Sequence, residues 1–510
     1  MTSASRGREV WLLIATFLVA VAGLIYELIA ATLSSYLLGD SVRQFSLVIG
    51  VFLTAMGLGA WLSRFVNAAL PGFVWAQIML GVVGGFMAPA LFFTYAATGL
   101  VQGLLYTMLG LVGVLSGMEI PLIARVLKEI GAPEFRFENV LTVDYVGAFA
   151  ASLAFPILVV PHLGLMSASL AFGVLNLCVA GLSLLVFRGR LGFGVHVVWA
   201  VALVASLAGV WKSEQMVAVV DAALFEDDVI LSETTPYQQV TITRFRDRTR
   251  LFLNHSIQFD SYDEHRYHEA LVHPAMSHAP RRARVLILGG GDGMAAREVL
   301  RWDDAREVVL VDLDARVTEL FRDHDDLAAL NAGALSDPRV QVINRDAWQY
   351  LEQMPGPFDV VILDLPDPKS LSLSKLYSRE FYGLLVQNLS AQGVVTTQAG
   401  SPLFARQAFW SIEATLAAVS NPFAPGKGLE TLPYHAYVPS FGDWGFVMAA
   451  PVLARDAAAL PGGLQFWTPQ QWVASQVFAS DIEPIEAEVN SLQDHALVGY
   501  YLDGWDRWFR

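Results

Sequence analysis

Between Val10 and Trp211 the chain carries roughly seven apolar stretches, each long enough to cross a bilayer. They centre near residues 11–38, 44–66, 73–97, 99–127, 139–160, 164–187 and 193–211. A chain solvated by lipid must satisfy its backbone N–H and C=O groups internally, so these stretches predict a helical bundle. With 54% hydrophobic and 16% charged residues over 510 positions, the sequence is too apolar for a single soluble globule. The first stretch is too long for a cleaved signal peptide, lacks an obvious small-residue cleavage site and is followed by further spans. Gly and Ala are frequent, as in GLGAW near Gly57, which suits close helix packing. The net charge of −15 then falls mostly on the second half and counts against nucleic acid as a partner. One cysteine, Cys178, gives neither a disulfide framework nor a thiolate metal site.

The second half is built around Val285–Ala295, VLILGGGDGMA. Four apolar residues read as a buried strand, Gly289, Gly290, Gly291, Asp292 and Gly293 as a turn, and a helical pattern opens at Met294. Such a turn lets a ligand approach the backbone, and both dinucleotide and S-adenosyl ligands use it. The strands that follow end in acids: EVVLVDLDARV at Asp312 and Asp314, RVQVIN before Arg345, Asp346 and Ala347, and FDVVILD in Asp364-Leu365-Pro366-Asp367-Pro368. Asp312, roughly 20 residues past the glycine turn, is placed to meet a ribose diol. Open parallel sheets bind ligands at the carboxyl ends of their strands, so Asp292, Asp312, Asp346, Asp364 and Asp367 should face one crevice. That much negative charge is a poor setting for a pyrophosphate and a good one for a sulfonium nucleoside with a cationic amine.

GGGDG, DLDARV, RDA and DLPDP, with the upstream TPYQQV and YHEALVHPAM, resemble the polyamine aminopropyltransferases, the spermidine synthase family. The likeness spans about residues 230 to 450. It implies that Gln238, the glycine turn at Gly289, Gly290 and Gly291, Asp312, Asp346 and Ala347 hold decarboxylated S-adenosylmethionine, a co-substrate, with no permanently bound cofactor. It implies that Tyr267, His268, Asp292, Asp364 and Asp367 surround the polyamine and that Asp364 accepts a proton. The chemistry suits those roles. An ammonium is no nucleophile, so the amine must lose a proton to a positioned base before it displaces methylthioadenosine. Holding both reactants in line can supply roughly 7–11 kcal/mol of the acceleration. No metal is expected, because the spacings of His265, His268 and His273 lack a suitable acid beside them.

Three departures bear on the amine. Asp312 stands where the family commonly has glutamate. The loop PKSLSLSKLYSREFY lacks the family's Gly-Pro pair and has Tyr377 in place of Phe. Phe441, Gly442, Asp443 and Trp444 replace a tyrosine-containing turn.

The expected organisation is a transmembrane helical bundle over 1–212, a connector and β-hairpin over 213–282, and a Rossmann-like α/β domain over 283–510. In the connector, QQVTITRF and RLFLNHSIQF joined by RDRT read as the hairpin. Glu27, Glu119 and Asp144 lie in or near the apolar runs and should face the bundle interior. They suit either a path for a cationic polyamine or structural locks with Arg125 or Arg136. Basic residues at Arg6, Arg8, Arg64, Arg125 to Arg136, Arg188 and Arg190 place the N-terminus in the cytoplasm, with Arg43 and Lys212 on the opposite loops. An odd span count sends the second half outward, whereas the nucleoside is a cytosolic metabolite. A cytoplasmic catalytic face at the cell membrane is favoured, which needs one span fewer or more. The lipid bilayer and a small polyamine are the expected partners, and a homodimer or higher oligomer the expected assembly. Two other readings stay open: methyl or aminocarboxypropyl transfer from intact S-adenosylmethionine, and a polyamine transporter or sensor whose second half only binds.

Overall fold

The computed structural model describes residues 3–38, 41–98, 100–130, 137–225, 227–454 and 457–509. It divides into two compact units, Met1–Val229 and Ile230–Arg510.

The first unit is helical: Ser3–Leu38, Ser41–Leu62, Ala69–Gly85, Met87–Thr98, Gln102–Glu129, Phe137–Ala154, Val160–Val186, Phe193–Trp211 and Ser213–Leu224. Among the described residues, six apolar helical segments are long enough to cross a membrane, not seven. The stretches expected at 139–160 and 164–187 run together as Phe137–Val186, because helical hydrogen bonding continues across the residues between them. The backbone of that segment leaves the helix at Gly164, with φ 65 and ψ 173. Its limbs fold back there. Val140 shares a buried cluster with Leu184, while Ala151 and Val159 share another with Ala168. Large apolar side chains such as Leu53, Phe149 and Val201 are exposed on the outer faces, as lipid contact requires. Cys178 is also on an outer face.

Polar side chains turn inward and pair. Gln77 Nε2 donates to Glu119 Oε1 at 2.6 Å, and Asn176 Nδ2 to the Tyr26 hydroxyl at 2.9 Å. Glu119 is therefore held by an amide. Arg125, expected as its partner, donates instead to the Ser63 and Val66 carbonyls at 3.0 and 2.8 Å, satisfying the end of a helix. Arg136 lies outside the described residues.

The second unit opens with four strands in the order β1-β2-β3-β4: β1 Asp228–Thr234, β2 Gln239–Phe245, β3 Arg248–Leu253 and β4 Ser256–Asp260. The expected hairpin is β2–β3. The second run, however, is itself a hairpin, because Asn254 and His255 take φ of 48 and 64, the left-handed conformation of a two-residue turn.

Seven further strands make a sheet: β5 Arg284–Gly289, β6 Glu307–Asp312, β7 Val340–Asn344, β8 Phe358–Asp364, β9 Leu389–Gln398, β10 Glu430–Val438 and β11 Gly442–Ala450. Their order is β10-β11-β9-β8-β5-β6-β7. The five strands from β5 to β9 are parallel, and β11 joins β9 antiparallel with β10 at the edge. The alternation of β5 explains the layering, since Val285 and Ile287 enter one buried cluster while Leu286 and Leu288 enter the cluster on the other face. Each such side chain contributes about 1.5–3 kcal/mol when fully buried. Chain order reverses between β5 and β8, where Gly289 pairs with Asp364. Open α/β sheets bind their ligands at such a switch point, beyond the carboxyl ends of the strands.

Candidate active site

The glycine turn is shaped by what it must pass. A Cβ on Gly289 would sit 2.0 Å from the Asp364 carbonyl oxygen, and one on Gly290 2.9 Å from Asp364 Oδ2; both residues also take positive φ, 83 and 65. Only glycine fits there. Gly290 N–H donates to the Asp364 carbonyl at 3.1 Å and Gly291 N–H to Asp312 Oδ2 at 3.1 Å. Asp292 Oδ1 accepts from Met294 N–H at 2.9 Å at the start of the next helix.

Helix Glu264–His278 crosses this turn and delivers two side chains. Tyr267 donates from its hydroxyl to Asp364 Oδ1 at 2.8 Å. His268 Nδ1 lies 2.7 Å from Glu264 Oε2, and its Nε2 stands 4.0 Å from Asp364 Oδ2. Glu264 is clamped in turn by both terminal nitrogens of Arg297 at 2.9 Å. Neither Glu264 nor Arg297 was anticipated. Glu264 is one helical turn before His268 in YDEHRYHE, a spacing at which side chains meet, so a signal was there to read.

These contacts tune the titrating groups. Burial would lower His268, but the hydrogen bond and charge of Glu264, with Asp292 and Asp364 beyond, lift it to about 9. Burial raises Asp364 to about 6, with His268 and the Tyr267 hydrogen bond opposing and Asp292 reinforcing the shift. Burial also raises Asp292, and raises Asp312 to about 6. Perturbed acids gathered in a cleft mark a functional site more often than a structural one. Single ligand-type atoms of His268, Asp292 and Asp364 lie within 4.8 Å of one another. This trio could take a metal ion or an ammonium. The ring nitrogen it offers is Nε2, since Nδ1 is engaged by Glu264.

The remaining candidates ring the same end of the sheet. Asp312, at the end of β6, accepts from Gly291 and Asp314 N–H. Gln238, just before β2, donates to Asp314 Oδ2 at 3.1 Å, beside Thr235 at 2.7 Å. Asp346 caps the helix beginning at Ala347 and faces Lys375 Nζ at 3.3 Å. Asp367 Oδ2 accepts from the Tyr501 hydroxyl at 2.6 Å, and Gln398 Nε2 is 3.4 Å from Oδ1. The Tyr377 hydroxyl lies 3.2 and 3.1 Å from the Leu365 and Pro366 carbonyls and receives Gln398 Nε2 at 2.6 Å, which ties down the loop carrying Asp367. Phe441 packs edge-on to Tyr267 at 5.9 Å and near Trp444 at 5.2 Å. His273 is structural, lying between Glu298 and Trp302.

Residues 264–450 match the family model described as Spermine/spermidine synthase domain. A polyamine aminopropyltransferase 2 of Ralstonia nicotianae is 43% identical over 506 residues, covering 97% of this chain and 98% of that protein. A polyamine aminopropyltransferase of Leptospira interrogans is 41% identical, covering 97% and 99%. A spermidine synthase solved in complex with the transition-state analogue AdoDATO aligns over 49% of this chain and 85% of that one, at 25% identity and a TM-score of 0.45. The similarity to the curated relatives runs through the apolar half as well as the crevice, and the chain belongs to the polyamine aminopropyltransferase, or spermidine synthase, family.

Proposed function

We propose that the enzyme transfers the aminopropyl group of decarboxylated S-adenosylmethionine to a diamine, most simply putrescine, giving spermidine and methylthioadenosine. The observation that carries this reading is the setting of Asp364: a carboxylate 12% exposed and raised to about 6, with a tyrosine hydroxyl on one oxygen and a cationic histidine across from the other. Such a group is ionised at neutral pH yet basic enough to take a proton from an amine.

The glycine turn, Asp312, Asp346, Ala347 and Gln238 receive the nucleoside, with Asp312 toward the ribose. Tyr267, His268, Asp292 and Asp367 orient the amine. The amine lone pair forms a bond to the propyl carbon next to sulfur, and the C–S bond electrons return to sulfur and discharge the sulfonium. The proton that freed this lone pair has passed from the entering ammonium to Asp364, and the new secondary amine forms in its protonated state. Acids in excess around the crevice favour two cationic reactants over either alone. Intact S-adenosylmethionine would bring a carboxylate into this field, and the cation beside Asp292 and Asp364, His268, is already paired with Glu264. The reaction is placed at a membrane, with the catalytic unit on the cytoplasmic face where the donor is made.

Asp364→Asn tests the assignment. Methylthioadenosine release is expected to fall by about 10²–10⁴-fold, the usual scale for losing a general base, while binding of methylthioadenosine persists. Undiminished turnover removes Asp364 from its role. Mass analysis of products from each nucleoside donor with a panel of amines decides the donor.

A further inference from the structure

Helix Ala496–Phe509 reaches back to the crevice, and its Tyr501 hydroxyl lies 2.6 Å from Asp367 Oδ2. This is no loose surface contact. Tyr501 is 4% exposed, its ring is 5.9 Å from that of Trp505, and Trp505 in turn packs on Phe404 at 5.0 Å. A Cβ on Gly504 would fall 2.7 Å from Ala405 Cα, so the helix is seated as closely as backbone allows. The ring also borders Gly400, where a Cβ would stand 3.8 Å away. Asp364 and Asp367 flank the short loop that Gln398 ties down, with Gln398 Nε2 2.9 Å from the Leu365 carbonyl and 3.4 Å from Asp367 Oδ1, so the two carboxylates lie at the same end of β8.

We infer that Tyr501 determines acceptor length: it closes the Asp367 end of the amine site and restricts the acceptor to a diamine, excluding longer polyamines. The inference rests on the transfer reading above. One nitrogen of the acceptor loses its proton to Asp364, and the other stays charged and is held at Asp367. A triamine in the same pose has to run its next methylenes past Asp367, into the space filled by the Tyr501 and Trp505 rings. The phenol also aims Asp367, because its hydrogen bond to Oδ2 fixes the rotation of the carboxylate and leaves Oδ1, 3.4 Å from Gln398 Nε2, as the less engaged oxygen. Tyr501 is thus a positioning residue for Asp367 as well as a wall.

The test compares wild type with Tyr501→Phe and Tyr501→Ala in the full chain in detergent. It measures kcat and KM for a diamine and a triamine, and equilibrium binding of each amine by calorimetry, which needs no turnover. Tyr501→Ala is expected to raise the triamine-to-diamine ratio of kcat/KM about tenfold, the scale of a pocket changed by a few carbons. Tyr501→Phe is expected to raise the diamine KM with little change in kcat, the pattern of lost uniform binding. Where Tyr501→Ala does not fold, Tyr501→Leu takes its place. A folded variant whose amine preference is unchanged in both turnover and binding overturns the inference. Should wild type transfer no aminopropyl group while the binding preference still shifts, the transfer reading fails and the role of Tyr501 stands.

Discussion

A buried imidazole ordinarily sheds its proton, and His268 keeps one because Glu264 overrides the burial, holding it up to about 9. That positive charge, 4.0 Å from Asp364, limits how far burial and Asp292 can raise the carboxylate. Turnover should rise as pH is raised through about 6, because in the proposed mechanism the ionised form of Asp364 is the base, and it is populated above its pKa. Glu264→Gln removes the counter-charge, so burial returns His268 to its neutral form and Asp364 climbs. The acid limb of the pH–rate profile then moves to higher pH by about one unit, whereas Glu264→Asp keeps it near its original place. An unmoved limb in Glu264→Gln would mean that Asp364 feels no charge from His268. At this scale the strand-end acids were legible, because a parallel strand fixes where its last residue points. Arg297 is 33 residues from Glu264 and Tyr501 is 134 from Asp367, distances at which only the folded chain brings partners together.

Elements pack by what their surfaces lack. Helices Ser41–Leu62 and Gln102–Glu129 cross where a Cβ on Gly59 would lie 2.0 Å from the Val114 carbonyl oxygen, and one on Gly117 2.1 Å from that of Met56. Gly117→Leu must push the two backbones apart. The expected cost is about 1–3 kcal/mol, read as a lower unfolding midpoint in detergent. Gly57, whose Cβ would meet nothing within 4 Å, is the control, and Gly57→Ala should leave the midpoint in place. Equal midpoints for both variants would remove the crossing from the account. The GLGAW stretch announced close packing, but which of its glycines lies at the crossing depends on helix rotation, which composition does not encode. The same limit explains the strand expected as one piece over RLFLNHSIQF. Its apolar alternation continues through Asn254 and His255, and only the left-handed turn there separates β3 from β4. The last helix was the least legible element. Its aromatic face suits lipid as well as a protein core, and Leu497 and Tyr501 enter the core of the catalytic unit.

For the whole molecule, the open question in the sequence was the face on which catalysis occurs. Arg8 lies over Phe187, next to Arg188, and Arg125 bonds the Ser63 carbonyl beside Arg64, so these arginines mark helix ends that the positive-inside rule assigns to the cytoplasm. Six apolar segments return an even number of crossings to that side. The fold-back at Gly164 adds a pass: Ser167, just after it, bonds Ser213 at 3.1 Å, so the chain leaves the helical unit near that fold. Counting segments and counting passes therefore lead to opposite faces, and the proposed donor favours one of them. A nucleoside bearing a sulfonium and an ammonium does not cross hydrocarbon unaided, since each buried charge costs several kcal/mol even by lenient scales, about 2.5–3.5 for a side chain. With the proposed nucleoside as donor, the catalytic unit is accordingly expected to face the cytoplasm. With Cys178→Ser removing the native thiol, a cysteine introduced as Phe423→Cys, at a residue 48% exposed, should react with a membrane-impermeant maleimide only after cells are permeabilised. Labelling of intact cells would instead put the unit outside, make the Gly164 fold a full pair of membrane passes, and require that the nucleoside be exported before the enzyme could use it.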